Sequence, residues 1–251
     1  MLSRKNLESM KSVLGYNLGQ VESDYLQHIL LLFLSRRAGS WLVFKGGTAL
    51  QKAYGLNRFS GDLDFISKKE EDLEDIAYGI KNDLDKFGLE NELKINRMEN
   101  VSEVIVYSMK GPLYDGTPRS MAVQRVEVSL REKVILKEGI HEVVPVYPDL
   151  QPYLLTMMNP EEILSEKVRA IMKRNKARDV YDLWFLIKKK IPVNPELINK
   201  KLEYYGMVFD LDTFTASLMD KNRIWEKELK PLVSFIPNFE NTAKEILDAF
   251  S

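Results

Sequence analysis

The chain has 251 residues, 45% of them hydrophobic and 29% charged, with a formal net charge of −1 at pH 7. This length and composition allow one large or two modest domains, and the near-zero charge excludes recruitment of nucleic acid by an overall basic field. The absence of cysteine excludes disulfides, thiolate metal sites and a cysteine nucleophile, and the two histidines are too few for a multi-histidine metal site.

The N-terminal segment is polar and lacks the apolar stretch of a secretory signal. The longest apolar run, residues 29–34, is far too short to span a bilayer. We therefore expect a soluble, cytoplasmic protein with no membrane partner.

In the first part of the chain, helices and strands are predicted to alternate. Ser23 or Asp24 can cap a helix whose apolar residues form one broad face as far as Leu34. His28 lies on this helix, and we interpret it as a packing or capping residue rather than a catalytic one. The patterns further predict a charged amphipathic helix over residues 68–86 and strands over residues 93–95, 101–109 and 121–130.

The pattern changes in the second part of the chain. Residues 140–153 contain Pro145, Pro148 and Pro152 and are predicted to cross between two lobes in extended form. From residue 159 onward, helical periodicity predicts helices over residues 160–174, 178–190, 195–204, 211–220, 223–230 and 238–250. We therefore predict an α/β lobe over residues 1–155 followed by an all-helical lobe over residues 156–251.

The stretch from residue 41 to residue 66 contains a glycine turn followed by a pair of aspartates. A short apolar run breaks at Gly46 and Gly47, and helix-forming residues restart at Thr48. A turn of this kind presents backbone N–H groups to a phosphate. Residues 62–66 are predicted to form a strand in which Asp62 and Asp64 share one face and can hold a hard cation such as Mg²⁺. A phosphate site beside a metal site is the outline of a nucleotidyl-transfer site.

The tripeptide Asp-Leu-Asp is not specific by itself, because it occurs three times in the chain. The copy at residues 83–85 lies in a predicted helix, where its two carboxylates point about 200° apart. The copy at residues 210–212 lies at a predicted helix start, where aspartate commonly caps. Alone, the first copy would indicate a solvated strand edge, and the glycine pair a tight turn. Their combination favours a functional site.

Glu127 is a candidate third carboxylate. It lies on the polar face of the strand predicted over residues 121–130, which can neighbour the strand of Asp64. Nucleotidyl transfer with two metal ions uses about three carboxylates. The spacing supports equally well the alternative that Glu127 is a surface acid paired with Arg125 or Arg131.

Charged residues face inward on two consecutive predicted helices of the C-terminal lobe. Lys167 falls within the apolar arc of the first helix, and Asp179 and Asp182 fall on the apolar face of the second. A buried ammonium group is costly unless it is paired or directed toward a ligand. One interpretation is a buried ion pair that joins the helices. We favour the other, in which Lys167 reaches a triphosphate while one of the acids holds it, because the anomaly occurs on both helices.

This region also holds the densest basic run of the chain. The outward members of the run either meet a nucleic-acid backbone or form a solvated helix face, which is the commoner role of such a run. The run consists of Lys167, Arg169, Lys173, Arg174, Lys176 and Arg178.

Several segments, in the same order along the chain, resemble the nucleotidyltransferase toxins of the AbiEii/AbiGii type. They are FKGGTAL at residues 44–50, NRFSGDLDF at residues 57–65, EEILSEKVRA at residues 161–170 and RDVYDLWFL at residues 178–186. The resemblance covers about residues 24–186, and the last third of the chain matches only as helical. It implies the fold of the DNA polymerase β-like nucleotidyltransferases, a mixed sheet flanked by helices, with the helical lobe completing the active-site cleft.

The resemblance also implies roles for individual residues. Asp62, Asp64 and Glu127 would bind Mg²⁺ or Mn²⁺. Lys167 would contact a phosphate of the nucleoside triphosphate, and Asp182 would complete the catalytic set.

The nucleoside triphosphate is expected to lie against a further set of residues. The wider superfamily usually has Gly-Ser where this chain has Gly47-Thr48, and we expect the phosphate contact to survive because threonine keeps the hydroxyl. Arg58 and Ser60 are predicted either to contact phosphate or to support residues that do. The full set of predicted triphosphate contacts is Gly46, Gly47, Thr48, Arg58, Ser60, Lys167 and Asp179.

The function implied is transfer of a nucleoside monophosphate to an acceptor hydroxyl, with RNA, and in particular the 3′ end of tRNA, as the expected acceptor. The resemblance further implies a toxin of an abortive-infection pair with a separate antitoxin protein encoded nearby. Two alternatives stay open from the residues: a nucleotide-binding or partner-binding module without turnover, and a phosphotransferase that modifies a protein.

Overall fold

The computed structural model describes residues 1–69, 73–98 and 101–250, and the chain divides into two compact units. The first unit consists of Met1–Tyr54, Phe59–Val134 and Glu138–Met157, and the second of Gly55–Arg58, Ile135–Lys137 and Met158–Ser251. Two short pieces of the predicted α/β lobe thus belong to the second unit. The division into domains at residues 1–155 and 156–251 stays a prediction.

The described part of the first unit contains helices and all the strands of one sheet. Its helices are α1 (Arg4–Leu14), α2 (Leu18–Ala38), α3 (Gly46–Tyr54) and α4 (Leu73–Lys86). Its strands are β1 (Leu42–Lys45), β2 (Leu63–Ser67), β3 (Asn91–Met98), β4 (Ser102–Met109), β5 (Ala122–Ser129), β6 (Gly139–Val143) and β7 (Tyr153–Met157).

The strands form one mixed sheet in the order β3-β4-β5-β2-β1-β7-β6. β2 pairs in parallel with β5, and β1 with β7, while the other neighbouring pairs are antiparallel. Alternating apolar residues turn one face of the sheet toward the hydrophobic core. Phe44 of β1 and Phe65 of β2 stack there, with ring centroids 4.8 Å apart.

Helix α2 begins earlier than predicted, at Leu18 rather than after Ser23 or Asp24. Its cap is Asn17, whose side chain accepts a hydrogen bond from the N–H of Gln20 at 3.0 Å. The Gln20 side chain accepts one from the N–H of Asn17 at the same distance. This reciprocal arrangement satisfies two donors at the helix start and fixes the boundary.

Asp24 is a buried partner in a polar cluster instead of a cap. Its carboxylate pairs with Lys52 and accepts a hydrogen bond from the Tyr147 hydroxyl at 2.8 Å. His28 is buried beside it, with Nδ1 2.8 Å from the Tyr153 hydroxyl. Burial lowers the pKa of His28 to about 3, so the ring is neutral near pH 7. These contacts agree with the interpretation of His28 as a packing residue.

Strands β6 and β7 replace the extended crossing predicted over residues 140–153. The two strands pair in antiparallel register from Gly139 opposite Met157 to Val143 opposite Tyr153. Pro145 lies in the connection between them, as do the other two prolines of the segment. The prolines therefore mark a strand connection, since proline lacks the N–H that a ladder needs.

The other predicted elements of this unit agree more closely with the structure. The predicted strands over residues 93–95, 101–109 and 121–130 correspond to β3, β4 and β5. Helix α4 begins at Leu73, after non-helical Lys68 and Lys69. Residues 70–72 of the predicted helix lie outside the described residues.

The second unit is helical. Its helices are α5 (Pro160–Lys173), α6 (Ala177–Lys188), α7 (Pro195–Glu203), α8 (Leu211–Met219), α9 (Trp225–Leu229) and α10 (Phe239–Asp248). Proline opens α5 and α7, where its missing N–H costs nothing, and Asn159 and Asn194 cap these helices. The predicted fold class, a mixed sheet flanked by helices followed by a helical region, is confirmed. None of the helices in the described ranges combines the length and apolar character needed to cross a bilayer.

Candidate active site

The glycine turn lies at the junction of β1 and α3. β1 ends at Lys45 and α3 begins at Gly46 without an intervening loop. Gly46 has a φ of 76°, which L side chains rarely adopt, and a Cβ at this position would lie 2.6 Å from Oδ2 of Asp64. Glycine is thus required both by the backbone and by the close approach of the Asp64 carboxylate. The glycine turn and the strand of Asp64 therefore lie in direct contact.

The hydroxyl of Thr48 contacts the backbone of the aspartate segment. The side chain is buried, and its hydroxyl donates a hydrogen bond to the backbone carbonyl of Asp62. The hydroxyl proton is used within the protein in this structure, and the contact from Thr48 to phosphate stays a prediction. The backbone N–H groups of Gly47 and Thr48 still lie in the first turn of α3, where such groups have no partner within the helix.

The two aspartates occupy neighbouring but different settings. Asp62 immediately precedes β2, so the prediction that it lies within the strand is wrong by one residue. Asp64 lies in β2, in register with Lys45 of β1 on one side and with Glu127 of β5 on the other. Directly opposed residues on paired strands share a face, so one row of the sheet carries a cation and two carboxylates.

The position and contacts of Glu127 agree in part with each of its two interpretations, metal ligand and surface ion pair. Its strand neighbours that of Asp64, as a third metal ligand requires. Its carboxylate lies 2.9 Å from Nη2 of Arg125, as a surface ion pair requires. In the described ranges, no three acidic or histidine side chains are grouped closely enough to hold a metal ion. The oxygen donors of the three carboxylates suit Mg²⁺, and their role as metal ligands stays a prediction.

Lys45 was not singled out by the sequence patterns. Its side chain is buried and pairs with Glu132, which follows β5 and is also buried. The available signal was a lysine at the end of an apolar run directly before the glycine pair. Its partner lies 87 residues away, and no local pattern identifies such a pair.

The inward-facing charges of the second unit form a buried ion cluster. Lys167 of α5 places Nζ 3.1 Å from Oδ1 of Asp179 and 2.7 Å from Oδ2 of Asp182, both on α6. Arg58 makes a two-pronged contact with Asp182, Nε to Oδ1 at 2.6 Å and Nη2 to Oδ2 at 2.7 Å. Arg174 contacts Asp179 with Nε at 2.7 Å. Arg58 thus holds Asp182 in place, and the roles predicted for Arg58 at the triphosphate stay predictions.

The cluster keeps both acids ionised. Burial raises the pKa of Asp182, but Arg58 and Lys167 outweigh burial and hold that pKa below its ordinary value. Burial also raises the pKa of Asp179, but Lys167 and Arg174 outweigh burial and hold that pKa below its ordinary value. Three cationic side chains, Lys167, Arg58 and Arg174, therefore contact the two carboxylates.

Most of the basic run already contacts protein groups. The guanidinium carbon of Arg169 lies 4.7 Å from the centroid of the Tyr205 ring, and Nζ of Lys173 lies 3.7 Å from it. Lys176 places Nζ 3.4 Å from Glu228. A nucleic-acid contact by this run stays a prediction.

Replacing Gly46 with alanine is expected to reduce activity as well as stability. The positive φ costs about 1–2 kcal/mol for a side chain, and the new methyl group displaces the Asp64 carboxylate. Gly55 is a matched control, because it has a φ of 77° and nothing within 4 Å of a built Cβ. Melting curves should show that both variants lose stability, with lost turnover only for Gly46→Ala. Equal activities would contradict the close approach.

Comparison with known proteins identifies the family. The sequence profile described as "Nucleotidyl transferase AbiEii toxin, Type IV TA system" matches residues 32–249. The chain belongs to the AbiEii nucleotidyltransferase toxin family. It is accordingly a nucleotidyltransferase, and the family predicted from the motifs is confirmed. No curated protein sequence matches the chain significantly.

Solved structures share the fold of this AbiEii member. MenT4, the nucleotidyltransferase toxin Rv2826c from Mycobacterium tuberculosis H37Rv, superposes with a TM-score of 0.66 at 18% identity, covering 100% of this chain and 89% of that one. JHP933 from Helicobacter pylori gives a TM-score of 0.56 at 22% identity, with 93% and 91% covered. A putative nucleotidyltransferase from H. pylori gives 0.54 at 23% identity, with 90% and 91% covered.

Proposed function

We propose that this AbiEii-family enzyme transfers a nucleoside monophosphate from a nucleoside triphosphate to a hydroxyl of RNA, in particular the 3′ end of tRNA. The acceptor oxygen forms a bond to the α-phosphorus while the bond from that phosphorus to the β-bridging oxygen breaks. Pyrophosphate leaves, and the hydroxyl proton passes to a carboxylate or to water. The reaction balances without an oxidant or reductant.

The observation that carries this proposal is the position of Asp64. Its carboxylate lies against Gly46 at the start of α3, and it shares a row of the sheet with Glu127. A carboxylate in this setting is beside the backbone N–H groups at a helix N-terminus, which favour phosphate. Asp62 is one residue outside the strand and supplies a second oxygen ligand.

Mg²⁺ or Mn²⁺ bound by Asp62 and Asp64, with Glu127 as a third ligand, would neutralise the phosphate charge and lower the pKa of the attacking hydroxyl. The hard oxygen donors of these side chains suit either ion. The residues of the chain then orient the acceptor and the triphosphate against this pair of aspartates.

The ion cluster of the second unit is proposed to bind phosphate. Lys167 supplies an ammonium group whose position is fixed by Asp179 and Asp182. Arg58 keeps Asp182 in place by its two-pronged contact. The support for this role is chemical, because ammonium and guanidinium groups held in place by carboxylates are the cations that bind phosphate in proteins.

The biological setting is proposed from the family. A type IV toxin acts in the cytoplasm and is opposed by a separate antitoxin protein, whose gene we expect close to that of the toxin. Finding such a gene supports the setting, while the chemistry is tested independently of it.

The chemistry is tested by the position of a radiolabel. We expect wild-type protein with Mg²⁺ and total tRNA to place label from the α-phosphorus of at least one nucleoside triphosphate on RNA. Label from the γ-phosphorus should leave as pyrophosphate, and EDTA should stop the transfer. Transfer of the γ-label to a protein would indicate a phosphotransferase instead, and binding without transfer of either label would indicate a module without turnover.

A further inference from the structure

The segment that leads into Asp62 is held by side chains rather than by a neighbouring strand. Strand pairing begins only after Asp62. The side-chain amide of Gln27, on α2, donates to the backbone carbonyl of Ser60 at 2.8 Å and to that of Gly61 at 2.9 Å. One amide thus fixes two consecutive carbonyls of the segment.

Two side chains of helix α3 also form hydrogen bonds with the backbone of this segment. Gln51 Oε1 accepts a hydrogen bond from the N–H of Ser60 at 3.1 Å. The Gln51 amide in turn donates to Oδ1 of the buried Asp24 at 3.0 Å, which fixes its orientation. The Thr48 hydroxyl donates to the carbonyl of Asp62. Four main-chain groups of residues 60–62 are therefore bound by three side chains from α2 and α3.

Packing alone does not explain the burial of Gln27, because burying its amide lowers the stability of the fold. Its side chain is fully buried, and its carbonyl oxygen has no hydrogen-bond partner among the described residues. An unsatisfied buried acceptor destabilises a fold, and such a group in a native structure calls for an explanation. A methionine or leucine would fill the space without leaving an acceptor unsatisfied. What only the amide supplies is the pair of donors to the segment before Asp62.

We propose that Gln27 is a positioning residue of the nucleotidyl-transfer site, acting through the backbone of residues 60–61 to set the direction in which the Asp62 carboxylate enters the site. This inference rests on the proposed function of Asp62 and Asp64. Metal ligands and catalytic groups need to be held within about 0.5 Å of their productive geometry by supporting hydrogen bonds. The register between β2 and β5 begins at Leu63 opposite Val126 and includes Asp64 opposite Glu127.

The test compares Gln27→Met with Gln124→Met. Gln124 is also buried, donates to Ser23 of the same helix α2 at 2.9 Å, and has a carbonyl oxygen without a partner in the described chain. It does not contact the segment before Asp62 in any described hydrogen bond. The two variants therefore lose a similar buried amide, and only one of them releases the segment.

Gln27→Met is expected to lower kcat by about 10- to 100-fold with KM for the nucleoside triphosphate little changed. Its affinity for Mn²⁺, measured by electron paramagnetic resonance without nucleotide, should fall by a similar factor. Gln124→Met should match wild type in both measurements at any temperature where both variants are folded. Equal kcat and equal Mn²⁺ affinity in the two variants would overturn the role of Gln27.

A second variant covers the case in which Gln27→Met does not fold. Gln51→Met removes the acceptor for the Ser60 N–H from a half-buried position and leaves Gln27 in place. It is expected to lower kcat and Mn²⁺ affinity in the same way, and wild-type values would overturn the inference. If wild type itself neither transfers label nor binds Mn²⁺, the proposed function fails, which is distinct from a failure confined to Gln27.

Discussion

Asp64→Asn is expected to reduce nucleotidyl transfer by about 1000-fold, equivalent to about 4 kcal/mol of transition-state stabilisation. The asparagine has the same shape and keeps the close approach to Gly46, so the fold should be retained. The substitution removes the negative charge of Asp64 from the row of the sheet that it shares with Glu127. Turnover with an α-labelled triphosphate measures the loss, and melting curves confirm that the variant is folded.

The chain supplies its own control for this substitution. Asp85 belongs to the second Asp-Leu-Asp copy, on α4, where it pairs with Lys81 at 2.8 Å on the surface. Asp85→Asn removes the same charge from the same tripeptide, and an exposed pair of this kind contributes about 0–1 kcal/mol. We expect wild-type turnover. Similar losses in the two variants would mean that net charge, rather than the position of Asp64, governs the activity.

The sequence predicts those parts of the site that rest on local patterns. The glycine turn is visible because Gly46 needs no long-range contact to break an apolar run and start a helix. The inward charges of α5 and α6 are visible because helical periodicity alone places Lys167 and Asp182 on apolar faces. Each of these features was identified within fewer than about 20 residues of chain, the range over which periodicity can be counted.

The supporting contacts could not be predicted, because their partners are distant in sequence. Arg58 and Asp182 are 124 residues apart, and Gln27 and the Ser60 carbonyl are 33 apart. A glutamine on a buried helix gives no indication of which backbone it will reach. The misplaced cap of α2 has a similar cause, because Asp24 is attractive as a cap until its buried partner is known. The local composition does not predict strands β6 and β7, because it is dominated by the prolines between them.

Lys167→Met is expected to lower both the stability and the activity of the protein. Removing one partner of a buried ion pair costs about 3–5 kcal/mol when the other charge is left alone. Here Asp182 keeps Arg58 and Asp179 keeps Arg174, so we expect the lower end, about 3 kcal/mol. If Lys167 also binds the triphosphate, KM for the nucleotide should rise and kcat should fall by about 100-fold beyond any effect of unfolding.

A control variant at a second buried lysine distinguishes the structural contribution of Lys167 from its functional one. Lys201 is fully buried and lies 2.5 Å from Glu162 and 3.2 Å from Glu166, both on the same helix α5. Lys201→Met should lower the melting temperature at least as much, yet keep wild-type turnover per folded molecule. Equal turnover in the two variants would leave Lys167 as a structural ion pair only.

The pH dependence of stability gives an independent measure of the same cluster. Asp179 and Asp182 have pKa values below the ordinary 3.8, so they stabilise the wild-type fold above that pH and lose this contribution as pH falls through their folded values. Lys167→Met removes a cation that lowers both values. The stability difference between wild type and variant should therefore be full near neutral pH and should shrink below about pH 4, where the carboxylates of the unfolded chain take up protons. Urea unfolding at a series of pH values measures this difference. A difference that stays constant down to pH 2 would show that the Lys167 ammonium group contributes packing rather than charge.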